Sequence, residues 1–134
     1  MKTKPALLFL AVLVIGVYSC KKDSSNGSII GKWSIVKTVY QSAKDTTIYG
    51  TEADYYNFAS DGGLSIQDHP DSYTGKFRQS GTNSVGITIY TVDGHGMGVV
   101  TAPAIFTISY LAGGNITLTS PPYPSGQEVV YLKK

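Results

Sequence analysis

Two kinds of apolar patterning divide the chain. From Ala6 to Val17 (ALLFLAVLVIGV) twelve residues run without a charge, behind a basic start at Lys2 and Lys4. After residue 30 no such run recurs and no helical periodicity is visible. Apolar and polar residues alternate instead, and turn formers interrupt them about every ten positions, the signature of short half-buried strands. Residues 33–40 (WSIVKTVY) place Trp33, Ile35 and Val39 on one face, with Lys37 intruding on it. Residues 54–59 pair Tyr56 with Phe58, and Ser60-Asp61-Gly62-Gly63 reads as a hairpin turn before Leu64 and Ile66. Residues 84–92 set Val85, Ile87 and Ile89 against Gly86, Thr88 and Tyr90, and Asp93-Gly94-His95-Gly96 is a second turn. Residues 104–111 align Phe106, Ile108 and Tyr110, and Gly113-Gly114-Asn115 leads into Ile116–Thr119. A proline-rich loop (PPYPSG, 121–126) precedes a last strand, Glu128–Leu132. β-Branched residues and tyrosine dominate these runs, as a pleated surface favours. Eight to ten short antiparallel strands with tight turns predict an all-β up-and-down barrel, with a β-sandwich as the alternative.

The early apolar run falls short of the about 20 residues that a membrane span needs, and it fits the roughly 7–15 of a signal-peptide core. It ends Val17-Tyr18-Ser19-Cys20, with Lys21, Lys22 and Asp23 following. This resembles the lipobox of bacterial lipoproteins: an aliphatic residue, a tolerant position, a small residue, then cysteine. The resemblance implies that residues 1–19 are a cleaved signal peptide. It also implies that Cys20 carries a diacylglyceryl thioether and an acylated amine, palmitate-type chains that hold the protein in the membrane. Several chains anchor far better than one. Cys20 is the only cysteine, so no intramolecular disulfide can form, and lipidation explains an otherwise odd free thiol in an exported protein. Lys21 in place of Asp resembles the sorting pattern for the outer membrane.

Residues 20–28 then read as the lipidated cysteine and a polar, Gly/Ser-containing tether, and residues 29–134 as one domain of a little over a hundred residues. Charge changes once the leader is set aside. Without Lys2 and Lys4 the eleven basic residues fall to nine, matching nine acidic ones. A neutral mature chain without a Lys/Arg stripe argues against a nucleic-acid partner.

Gly31-Lys32-Trp33 favours the barrel. A G-x-W entering the first strand resembles the lipocalins. More closely, IIGKWSIVKTVY followed by YNFASDGGLSI resembles the small lipocalin-like lipoproteins of Gram-negative bacteria, over most of residues 29–134. The resemblance implies a calycin-like barrel in which Gly31 lets the chain turn across the floor and Trp33 plugs the closed end. The indole N–H then needs an acceptor, and Lys133 or Lys134 is the candidate to cover the ring. The sequence departs from the lipocalin pattern at the second motif, for which Thr91-Val92-Asp93 is a distorted echo. It lacks the third motif's arginine, and no C-terminal helix follows the last strand.

The catalytic inventory is thin. No G-x-S-x-G, Walker loop or H-E-x-x-H occurs, and the carboxylates are scattered. Asp68-His69-Pro70-Asp71 and the segment around His95 read as turns rather than metal sites. No catalytic residue, metal ligand or cofactor is expected. Nine of the ten tyrosines follow Cys20. Two or three of them are expected to face a ligand, with Tyr123 the exposed one. Two functions follow as expectations: a membrane-anchored cup for a small apolar or amphipathic ligand, or a solid barrel that works through an envelope protein partner.

Overall fold

A computed structural model describes residues 27–98 and 102–134. The lipobox, Cys20 and the start of the tether lie outside the described residues. Ten strands follow in order: β1 (Gly31–Gln41), β2 (Thr46–Tyr49), β3 (Tyr55–Phe58), β4 (Gly63–Asp68), β5 (Asp71–Ser80), β6 (Ser84–Val92), β7 (His95–Gly96), β8 (Ala104–Tyr110), β9 (Ile116–Thr119) and β10 (Gln127–Lys133). Eight of them close an antiparallel barrel in the order β1-β3-β4-β5-β6-β8-β9-β10 and back to β1. The expected up-and-down barrel is therefore observed, and the sandwich alternative is excluded. Closure leaves these eight strands without the free edges that an open sheet would have to protect, and only the short β2 and β7 lie off the closed circuit.

β1 makes the closure. One side pairs with β10 from Ser34↔Lys133 to Gln41↔Gln127. The other side pairs with β3 over Gly31–Ser34 and then with β2 over Lys37–Tyr40. The register on β10 slips between Ile35 and Lys37. This bulge corrects the expected face of β1. Trp33, Ile35 and Thr38 are buried, so Thr38 and, two residues on, Tyr40 take the inward phase. Val39 is displaced from it, and the Lys37 ammonium lies 4.6 Å from the centre of the Tyr131 ring. One extra residue reverses the alternation beyond it. The Val36 carbonyl beside the bulge accepts from the Gly50 amide at 3.1 Å, anchoring the return of β2.

Three strands went unread in the sequence pattern. β5 carries only Tyr73 and Phe77 as large apolar side chains, β2 is exposed at every position, and β7 is two residues long. The expected turns hold. Asp61 Oδ1 accepts from the Gly63 amide at 2.8 Å in the β3–β4 hairpin. Asp93 and Gly94, both with positive φ (50° and 76°), form the two-residue connection between β6 and β7. Asp68 and Asp71 face each other at the β4–β5 hairpin, so that stretch is the expected turn.

One core cluster runs through the barrel, and its most enclosed side chains lie toward one end. Phe58, Val85, Leu118, Ile116, Val130 and Leu132 are almost fully enclosed there. Phe58 meets Phe77 edge to face with centroids 4.9 Å apart and Tyr56 at 6.0 Å, arrangements worth about 0.5–1.5 kcal/mol beyond burial.

Candidate functional site

The two ends of the barrel are built differently. The first end is a floor. Gly31 has φ +123°, a conformation that glycine alone adopts freely, and the chain turns there into β1. Trp33 is 3% exposed, and its indole N–H donates to the Ile29 carbonyl at 2.7 Å. The Lys134 ammonium lies 5.1 Å from the centre of the Trp33 ring. Of the two candidate lysines, Lys134 is the one over the ring. Gln79 completes the floor: its side chain accepts from the Ile29 amide at 3.2 Å and donates to the carbonyls of Gly27 and Gly81. The segment entering β1 is thereby stitched beneath the barrel.

The opposite end is a cup of about 310 Å³. Its wall is apolar at Ile66, Ile87, Ile89, Ala104 and Phe106. Above that wall stand Tyr40, Tyr56, Tyr73, Asp68 and Glu128. The strand period puts them there. Asp68 lies two residues beyond buried Ile66 on β4, and Glu128 lies two before buried Val130 on β10. Tyr40 and Glu128 are direct cross-strand partners. A volume of this size is at the lower end of the roughly 300–1,000 Å³ of small-molecule sites. A notch of about 170 Å³ adjoins the cup where β2 and the β4–β5 hairpin diverge, sharing Tyr40, Asp68 and Tyr73 with it.

The electrostatics of the cup are one-sided. Burial raises the Glu128 carboxyl above its ordinary pKa, and the charge of Asp68 adds to this. Burial raises Asp68 as well, with Asp54 and Asp71 contributing. The Tyr56 phenol is pushed far up by burial and then by Glu128 and Asp68. Tyr40 and Tyr73 move the same way, burial first. Among the described residues no lysine lines the cup, and the ammonium groups of Lys32, Lys37 and Lys134 lie over the rings of Tyr55, Tyr131 and Trp33. Asp54, beside the notch, behaves in the opposite sense. Its burial would raise it, but hydrogen bonds from the His69 amide (2.9 Å), the Thr51 amide (2.7 Å) and the Thr51 hydroxyl (2.8 Å) outweigh that and hold it below the usual range. Asp54 is a clamp between the β2–β3 connection and the β4–β5 hairpin.

The tyrosines that line the cup are Tyr40, Tyr56 and Tyr73. Tyr123 is exposed as expected, at 49%, but Tyr49 on β2 is more so, at 74%. Asp68 and Glu128 were missed as a pair because sixty residues of sequence separate them and only barrel closure unites them. The period-two phase of each strand would have pointed both inward. Among the described residues no three His, Cys, Asp or Glu side chains are grouped to hold a metal ion. Cys20 is outside the described residues. No protein-family profile, curated protein or solved structure matches the chain.

Proposed function

We propose that this chain is a lipocalin-like lipoprotein, anchored in the bacterial outer membrane through lipid on Cys20, whose barrel binds a small amphipathic molecule. The observation that carries the binding reading is the asymmetry of the interior. The interior around Phe58 is filled by its own side chains. A cavity of about 740 Å³ at that end lies between Trp33, the entry segment at Gly27–Ser28 and the β8–β9 connection. The cup instead opens between the inward faces of the strands themselves. An apolar wall with a few convergent polar groups is the usual construction of a small-molecule site. The lipobox at Val17-Tyr18-Ser19-Cys20 supports the anchoring, and the neutral charge after the leader fits a protein held by lipid rather than by basic residues. In this reading the protein is a binding module without a catalytic role.

A second reading, an envelope protein partner, has one observation in its favour. Among the described residues β2 ends the strand order with its outer side unpaired, and Ile48 and Tyr49 are 53% and 74% exposed on it. Such an edge accepts a strand from another chain.

The full chain, expressed in a Gram-negative host with labelled palmitate and extracted in mild detergent, tests both parts. Label retained by the wild type and lost from Cys20→Ser supports the anchor, and label on neither overturns it. A small-molecule adduct in native mass spectrometry, released by organic extraction, supports the cup. Co-purification of a stoichiometric protein without such an adduct favours the β2 edge.

A further inference from the structure

We propose that the ligand of the cup is an organic cation: an amphipathic amine whose apolar body rests against Ile87, Ile89 and Phe106 and whose ammonium sits between Asp68 and Glu128. This rests on the reading of the cup as a small-molecule site and adds the charge of the occupant.

Three features of the cup converge on it. The first is a pair of carboxylates without a counter-charge. Asp68 and Glu128 both line the cup, and every influence on either is one that disfavours its ionised form: burial and neighbouring carboxylates. Among the described residues no lysine or arginine lines the cavity. Two like charges held together on an apolar wall are unfavourable until a cation enters between them.

The second feature is Tyr56. It is 9% exposed and lines the cup. No hydrogen bond among the described residues engages its hydroxyl, yet no fully enclosed polar side-chain atom lacks a partner. The hydroxyl therefore opens onto the cavity with its hydrogen-bonding capacity unused. A buried phenol usually has a partner, and here the free space beside it is where a ligand head would stand.

The third is the ring of tyrosines itself. Tyr40, Tyr56 and Tyr73 bring three rings and their phenol oxygens to one small volume, and an ammonium that meets a ring face there gains cation–π energy as well as charge pairing. A neutral or anionic head would gain neither, and an anion would meet two carboxylates.

The test compares three probes with one apolar body, 4-phenylbutylamine, 4-phenylbutan-1-ol and 4-phenylbutyrate. Each is titrated into the full chain in a maltoside detergent at neutral pH, by calorimetry and by the methyl resonances of Ile87 and Ile89. The amine is expected to bind at least about tenfold tighter than the alcohol, with the carboxylate weakest, since one charge-assisted contact supplies that factor. The doubly substituted Asp68→Asn, Glu128→Gln chain is expected to lose that advantage and to keep the alcohol's affinity within about twofold. Both changes preserve side-chain shape, and thermal unfolding checks that the variant folds. Equal affinity for amine and alcohol, with both shifting the methyl resonances, overturns the charge assignment and leaves the binding cup standing. A preference for the amine that survives the double substitution also overturns it, because detergent partitioning then explains the difference. No methyl shift with any of the three overturns the cation and the cup together.

Discussion

Tyr40 and Glu128 stand directly opposite one another across the seam where the first barrel strand meets the last. The contact that closes the barrel is therefore also a wall of its cup. Closure brings a phenol and a carboxylate from opposite ends of the domain to one spot, and the β1 bulge sets the phase that turns Tyr40 inward.

Glu128 is expected to make the empty barrel less stable as pH rises. Its folded pKa is raised, so the folded state holds a proton over a range where the unfolded chain has released it. Stability then falls as pH climbs from the usual carboxylate range through the raised value. Asp68 acts in the same direction. Glu128→Gln should flatten this decline and raise the thermal midpoint at neutral pH. Scanning calorimetry of both chains from mildly acid to neutral pH checks it, and parallel curves would contradict it.

Asp54 is expected to do the reverse. Its folded pKa is lowered, so its contribution is present above the ordinary carboxylate pKa and is lost as pH falls through the folded value. Asp54→Ala removes the acceptor of three hydrogen bonds and should destabilise by about 3 kcal/mol, given that bonds to a charged acceptor are among the stronger ones. Urea unfolding at neutral pH measures the loss, and at strongly acid pH the difference between the two chains should shrink.

Truncation should cost far more at the floor than at the cup. Phe58 is fully enclosed, so Phe58→Ala should destabilise by about 3–5 kcal/mol. Ile89→Ala enlarges a space that is already open and should cost less than half as much. Comparable losses in denaturant unfolding would mean that the upper barrel is as closely packed as the lower.

Gly50→Ala should disturb the bulge. A methyl group there would collide with the backbone carbonyl of Ile35, next to the amide–carbonyl pairing of Gly50 and Val36. The expected cost is about 2–3 kcal/mol, typical of forcing atoms into occupied space. Amide exchange should accelerate over β2 and the second half of β1. An unchanged exchange pattern would show that the β1–β2 return does not depend on this close approach.

The fold was legible where side-chain alternation was clean and turns carried Gly or Asp. β6 shows this with Val85, Ile87 and Ile89, and β3–β4 with Tyr56, Phe58, Leu64 and Ile66. β5 was not legible, because Gly75 stands at the inward position between Tyr73 and Phe77 and the remaining side chains are polar. Strict alternation from Trp33 and Ile35 places Val39 on the inner face, and a bulge leaves no mark in composition; only the pairing with β10 and β2 reveals it. The floor could be read from Gly31 and Trp33, since a positive-φ glycine and a large plug are local requirements. The cup could not, because its charged pair is assembled by closure from strands far apart in sequence. Gln79 escaped notice for a related reason: a polar residue at an inward position looks like an outward one until its acceptors are in place.

The split between a packed core and an open cup has an evolutionary consequence. Where packing and recognition share residues, each new specificity risks the fold. Here most of the apolar packing energy lies with Trp33, Phe58 and their neighbours, at the far end from Tyr40, Tyr73 and Phe106. The side chains of Tyr73 and Phe106 lie at the margin of that core, only partly buried, and Tyr40 is more exposed still, so all three can vary at a lower cost to the fold. A lineage built on this barrel can change what it captures by re-lining one end, and a library confined to those rim positions should yield mostly folded proteins.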